Sequence, residues 1–218
     1  MNNETNATKT AKKAYEIFDF IEIVVIAACI VLLLFNLGIR LCKVDGSSMC
    51  NTLENGQMLL TSDLAYTPKS GDIIVFHQSN NPREFLNKPL VKRVIAVGGQ
   101  YVRTDYILNE TDDGAYVSMK VYVSNDENFD ELDVIEEDYI DFTSLDSVRA
   151  SSYVNNALDL FENGTVQTKT YAVPEGMLFV MGDNRYESND SRLDVGYVDE
   201  KCVLGKVILR ISPFGTVK

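Results

Sequence analysis

The chain has 218 residues, with 20 Lys and Arg against 32 Asp and Glu for a formal net charge of -12, and a single histidine. Without a basic stripe to release counterions from a phosphate backbone, nucleic acid is excluded as an expected partner. The four cysteines, Cys29, Cys42, Cys50 and Cys202, form no C-x-x-C pair and have one histidine between them, so no metal or other cofactor is expected. Whether Cys42, Cys50 and Cys202 stay free or include one bridge is left to geometry.

In chain order, residues 1–17 read as a short polar tail. The run from Ile23 to Phe35 has no polar residue. Extended from Phe18 to Ile39 it gives about 22 residues, or roughly 33 Å of helix, long enough to span a bilayer. A transmembrane anchor is predicted over residues 18–41, with Asp19, Glu22 and Asn36 near its ends, where charge costs least. A cleaved signal is disfavoured, because no small-x-small site follows and the run is long for such a segment. Lys9, Lys12 and Lys13 precede the run and Arg40 and Lys43 follow it, a slight bias toward a cytoplasmic N-terminus. Residues 42–218 are therefore expected outside the cytoplasm as one domain, since about 175 residues suffice for a single sizeable core.

That domain reads as mainly β. Short β-branched and aromatic runs bounded by Gly, Pro, Asn and Asp occur at Gly71 to His77, Leu90 to Val97, Ala172 to Val173, Leu178 to Met181 and Cys202 to Ile211. Between about residues 104 and 170 the composition turns acidic and suggests an inserted α+β segment. Tyr116 to Val123 alternates like a strand there, and Ala150, Tyr153, Val154, Ala157, Leu158 and Phe161 fall at helical spacing. Asp130, Glu131, Asp133, Glu136, Glu137, Asp138 and Asp141 lack the D-x-D-x-D-G calcium spacing and read as a solvated charged face.

With one histidine, a serine nucleophile would most easily find its base in a lysine. A free lysine has a pKa near 10.4, so at pH 7 only about one in 2,500 is neutral, and lowering that pKa to about 7 takes roughly 4 to 5 kcal/mol. Strand alternation sets Lys92 on a face with Leu90, Val94 and Ala96, and Val91, Arg93, Ile95 and Val97 on the other. A lysine interrupting an apolar face snorkels to solvent, meets a carboxylate, or is held neutral for chemistry. Ser48, in Gly46-Ser47-Ser48-Met49, is equally compatible with ordinary turn chemistry.

Taken in order, the segments Ser48-Met49-x-x-Thr52-Leu53, Gly71-Asp72, Lys92 to Gly99 and Gly182-Asp183-Asn184-Arg185-x-x-Ser188-x-Asp190-Ser191-Arg192, after an apolar run, resemble the type I signal peptidases of bacteria. The resemblance extends to Ile211-Ser212-Pro213-Phe214 and leaves out only the acidic insertion and the first residues. It implies a membrane-anchored serine endopeptidase that removes signal peptides from exported preproteins, its partners being those preproteins and the bilayer. By position it makes Ser48 the nucleophile, Lys92 the general base and Ser188 the hydroxyl that orients the amine. Asp190 and Arg192 match a structural ion pair, and Asp183, Asn184 and Arg185 belong to the same supporting motif. Met49, Leu53, Leu90 and Val91 match residues near the pockets for small side chains of a substrate bound as an added strand. The backbone N–H of Ser48 would be one donor to the oxyanion.

Two positions depart from the family pattern. Asn51 stands where proline is usual, and Gly46 where some members carry a second serine hydroxyl. Lys92 separates the chain from endoplasmic-reticulum relatives, which have histidine there. Self-cleaving repressor peptidases share a Ser/Lys pair but are soluble, and a sortase-like enzyme needs a Cys/His pair that His77, expected at a strand end, does not offer. A membrane-tethered, non-enzymatic β domain that binds a partner through its acidic insertion is the remaining alternative.

Overall fold

The computed structural model of the protein describes residues 2–36, 38–50, 52–79, 83, 86–111, 114–130, 133–140 and 166–217. Two units are distinguished, residues 1–39 and 40–218. The first is built on one helix, α1 (Asn2–Asn36). Its apolar side chains Phe18, Phe20, Ile23, Leu32 and Leu33 are each at least 60% exposed. The helix begins at Asn2 rather than near residue 18, and Ile39, Arg40 and Leu41, expected inside the anchor, lie in a strand instead. Among the described residues no helix is long and apolar enough to cross a membrane.

Among the described residues the second unit is built of strands and loops, with a short 3-10 turn at Glu200–Cys202. Its strands are β1 (Ile39–Lys43), β2 (Met58–Ser62), β3 (Ile73–Phe76), β4 (Leu90–Val97), β5 (Tyr101–Thr111), β6 (Gly114–Ser124), β7 (Val166–Ala172), β8 (Met177–Met181), β9 (Val198–Asp199) and β10 (Val203–Ser212). Seven form one sheet in the order β1-β2-β10-β3-β4-β8-β9, and three form another in the order β6-β5-β7. The expected strand over Tyr116 to Val123 lies within β6, while the helical spacing from Ala150 to Phe161 falls outside the described residues.

Three apolar clusters hold this unit together. Ile95, Ala96, Phe179 and Met181 from β4 and β8 pack with Val102, Tyr106, Val117, Met119 and Val121 from β5 and β6, which joins the two sheets. Ile74, Phe76, Val94, Leu178, Val180 and Val198 form the second. Val44, Met49, Leu53, Leu59, Ile73, Val75 and Val207 form the third, which roots the loop around Ser48 in the sheet. Burying a side chain of this size is worth about 1.5 to 3 kcal/mol, so the loop is fixed chiefly by Met49 and Leu53.

One sequence expectation fails inside β4. Its pairing with β8 shifts register between Val94 and Ala96. The irregularity reverses the alternation beyond Val94, so Ala96 joins Ile95 in the first cluster while Val97 packs with Leu90 and Val94 against the second. A period of two carries sidedness only as far as the ladder is regular. Lys92 lies before the break.

Candidate active site

The loop from Val44 to Leu53 is wound as a tight turn. Cys50 N donates to Ser47 O at 2.9 Å, and Leu53 N donates to Met49 O at 2.7 Å. Its entry is set by Gly46, whose φ of +109° is open to glycine and strained for any other residue. Asn51 lies outside the described residues.

This turn brings Ser48 to β4. Lys92 Nζ and Ser48 Oγ are 2.5 Å apart, and the lysine is 3% exposed. Burial lowers the Lys92 pKa from the ordinary 10.5 to about 8, Asp190 and Asp183 acting against the shift and Arg192 with it. No carboxylate of a described residue forms a salt bridge with the amine. A neutral amine at this distance accepts the hydroxyl proton of Ser48, which is the arrangement of a nucleophile beside its base.

The loop Gly182 to Arg192 closes the site from β8. Its first residue tolerates no side chain, since a Cβ on Gly182 would collide with Ser188 and with the Ser48 carbonyl. Gly182 N donates to Asp190 Oδ2 at 3.0 Å, and Asn184 N donates to Ser48 O at 3.1 Å. Asn184 Nδ2 also donates to Ser47 O, while Ser47 Oγ donates to Glu187 Oε2 at 3.0 Å. Ser47 is thus tied to an exposed carboxylate and Ser48 faces the amine.

Two buried ion pairs lie near Ser48 and Lys92. Arg192 Nε and Nη2 grip Asp190 at 2.8 Å each. Burial alone would raise the Asp190 pKa, but the Arg192 charge and its hydrogen bonds, with Gly182 N–H and the Ser188 hydroxyl, hold it below the ordinary range. Arg93 Nε and Nη2 grip Asp183 at 2.9 and 2.7 Å, and Asp183 Oδ2 accepts from Thr52 Oγ1 at 2.5 Å. Ser188 Oγ is buried without a hydrogen-bond partner of good geometry, although it lies near enough to Asp190 to help hold that carboxyl down. No hydrogen bond between Ser188 and Lys92 occurs among the described residues.

The four residues matched to substrate pockets divide. Met49 and Leu53 are 1% and 0% exposed and belong to the third core cluster, so they offer no open surface. Val91 is half-buried against the same cluster, and Leu90 against the second. Residues 90 to 92 pair with β3 through Phe76, Val75 and Ile74, whereas pairing with β8 starts only at Arg93 opposite Met181. On the β8 side, then, residues 90 to 92 have no paired strand among the described residues.

Sequence reasoning missed four residues here. Arg93 sits beside Lys92 in a strand, and a second charge on a buried ladder was its signal. Thr52 lay inside a quoted motif without a role. Glu137 and Tyr139 come from the acidic segment, whose reading as a solvated face is corrected at Glu137: that side chain is 8% exposed and forms an ion pair with the buried Arg185. A buried carboxylate among surface ones carries no local pattern. His77 follows β3, as expected of a strand end, and all four cysteines are free thiols. Among the described residues no His, Cys, Asp and Glu cluster is arranged to hold a metal ion.

The sequence model of a family described as "Signal peptidase, peptidase S26" matches residues 17–212. A signal peptidase IB of Staphylococcus aureus strain COL is 26% identical over 206 residues, covering 93% of each chain. A signal peptidase I of Rickettsia bellii strain OSU 85-389 is 29% identical over 230 residues, covering 90% of this chain and 72% of that one. Among solved structures, a signal peptidase I from Enterococcus faecalis V583 matches with 27% identity and a TM-score of 0.37, over 65% of this chain and 97% of that chain.

Proposed function

We propose that this chain, which belongs to the S26 signal peptidase family, is a serine endopeptidase that removes signal peptides from preproteins with Ser48 as nucleophile and Lys92 as general base. The observation that carries the reading is the 2.5 Å approach of Nζ to Oγ, made by an amine whose pKa burial brings down to about 8. With a pKa of about 8, roughly one such lysine in ten is neutral at pH 7, against about one in 2,500 for a free lysine, and no histidine is needed.

In the first half-reaction Ser48 Oγ attacks the scissile carbonyl carbon while its proton passes to Lys92 Nζ. The resulting ammonium returns that proton to the leaving nitrogen as the C–N bond breaks, leaving an ester on Ser48. A water then attacks the ester, Lys92 takes its proton, and that proton returns to Oγ as the C–O bond breaks. Negative charge on the carbonyl oxygen is met by the Ser48 N–H. Ser188, with a buried hydroxyl still unsatisfied, is assigned to orienting the amine.

The substrate enters as an added strand. Support comes from the β8 side of residues 90 to 92, unpaired among the described residues, which offers backbone groups to an extended peptide next to the dyad. Leu90 and Val91 line its path, and Met49 and Leu53 act beneath it as the buried floor. The chain is further proposed to be anchored in the cell membrane, with its N-terminus cytoplasmic and residues 42–218 outside. The wholly apolar Ile23 to Phe35 and the exposed apolar side chains of α1 favour this, and tethering beside a tethered substrate raises its effective concentration.

The test is detergent-solubilised full chain mixed with a preprotein bearing Ala-x-Ala before the cut, with the cut site read by mass spectrometry. Cleavage after that triplet, abolished by Ser48→Ala and by Lys92→Ala, is the expected result. Normal turnover in a folded Lys92→Ala protein overturns the assignment of the base.

A further inference from the structure

The acidic segment reaches the candidate site at two points. Arg185 Nη1 donates to Glu137 Oε2 at 2.8 Å and Nη2 to Oε1, so a bidentate pair closes on a buried guanidinium. The ring of Tyr139 lies over the Arg93 guanidinium at 3.9 Å, and its hydroxyl donates to Glu137 Oε1 at 2.8 Å. The segment is itself fixed to the three-stranded sheet. Ile135 N donates to Val121 O at 2.9 Å, Val134 bridges to Tyr122, and Ile135 packs on the first core cluster.

The two arginines lead to the reacting atoms from opposite sides. Arg185 Nε donates to Gly182 O at 3.1 Å and Arg185 O accepts from Arg192 Nη2 at 2.8 Å, so it ties the start of the Gly182 to Arg192 loop to its end. Arg93 adjoins Lys92 in β4 and, through Asp183, holds Thr52 of the nucleophile turn. One carboxylate and one phenol therefore join the supports of Ser48 and Lys92, through Arg185 and Arg93.

Resting on the peptidase reading, we propose that Glu137 and Tyr139 are positioning residues for the Ser48 and Lys92 pair, a clamp by which the acidic insertion holds the two sides of the site together. The charged and polar groups that face Lys92 are Asp190, Arg192, Asp183 and the Ser48 hydroxyl. The clamp acts on them from behind. Loosening it lets the Gly182 to Arg192 loop part from β4, admits water to the amine and removes part of the desolvation that lowers its pKa. Orientation of Oγ against the carbonyl suffers at the same time.

The experiment compares the full chain with Glu137→Gln, Tyr139→Leu and Tyr139→Phe, and uses the exposed neighbours Glu136→Gln and Asp138→Asn as charge-matched controls. Two readouts are taken: kcat and KM on an Ala-x-Ala peptide, and the protonation midpoint of Lys92 from competitive acetylation across a pH series, read by peptide mass spectrometry. Glu137→Gln and Tyr139→Leu are expected to lower kcat by about tenfold with KM changed by less than about twofold. The Lys92 midpoint is expected to rise by about half a pH unit. The controls should match the parent in both. A folded Glu137→Gln protein with parental kcat and midpoint overturns the clamp, as does an equal loss in the controls. If that variant does not fold, Tyr139→Phe decides, since it keeps the ring over Arg93 and loses only the bond to Glu137; a parental midpoint there also overturns it. Failure of the parent chain to cut any peptide defeats the peptidase reading instead, and the acetylation midpoint still judges the clamp.

Discussion

Lys92 and the ion pairs behind it occupy one buried region of the β unit, yet the two parts treat charge in opposite ways. Arg93 and Arg192 each meet a carboxylate through two nitrogens, and both carboxylates are also bonded by a hydroxyl or a backbone N–H. Lys92, adjacent in sequence to one and packed near the other, has Ser48 as its hydrogen-bond partner and no salt bridge among the described residues. The guanidiniums keep their charge under any biological condition and engage Asp183 and Asp190 fully. What is left for the lysine is a desolvated place beside a hydroxyl, with nearby charges of both signs. Both carboxylates are engaged by guanidiniums, so burial outweighs their pull on the amine and its pKa falls.

The strongest way to break this contrast is to remove the amine. Lys92→Ala and Ser48→Ala are each expected to reduce cleavage by about 10^4-fold or more, measured by single-turnover kinetics on a preprotein, whereas Ser47→Ala should be mild. A null Ser47→Ala beside an active Ser48→Ala would move the nucleophile by one residue. The contrast also predicts opposite stability effects for the adjacent cations. Asp183→Asn strands a buried guanidinium and should cost about 3 to 5 kcal/mol in denaturant unfolding. Lys92→Met should instead stabilise at neutral pH by about 3 kcal/mol, since a folded pKa near 8 against the ordinary 10.5 is a cost of folding the charged form.

The same shift fixes the pH dependence. Between pH 8 and 10.5 the unfolded chain holds a proton on Lys92 that the folded chain has lost, so the parent's stability should gain from this group as pH rises through that window. Below pH 8 the cost is fully present, and Lys92→Met should abolish this contribution. Cleavage should rise with pH to a plateau beyond a midpoint of about 8. A flat rate from acid to alkaline conditions would remove the titrating base. At the small end, Lys88 pairs with Asp45 on the surface at 2.7 Å with both side chains half exposed or more. Lys88→Ala should leave the thermal midpoint unchanged, and a drop like that of Asp183→Asn would show that burial is not what separates the two kinds of pair.

Much of the site was legible because its chemistry is carried by short, ordered segments. Ser48 and Lys92 are 44 positions apart, but each sits in a run whose neighbours restrict it: a glycine turn for one, an apolar strand for the other. The β character of the second unit followed from its branched and aromatic runs. The sidedness of β4 beyond Val94 did not, because a bulge depends on the partner strand. Met49 and Leu53 match pocket residues by position in sequence, and only packing shows that their surface is used up inside the third cluster. Glu137 was invisible for a related reason, since nothing local distinguishes it from Glu136 and Asp138 on either side.

The sequence by itself determined the residue types, their order and the presence of one histidine, because the side chains and their sequence are covalent facts of the chain. It also determined that a long apolar run precedes a β-rich domain. Tertiary structure decided which charges are buried, which carboxylate goes to which guanidinium, and therefore which amine is left to lose its proton. Burial and pairing are sums over contacts from distant segments, and no window of sequence contains them.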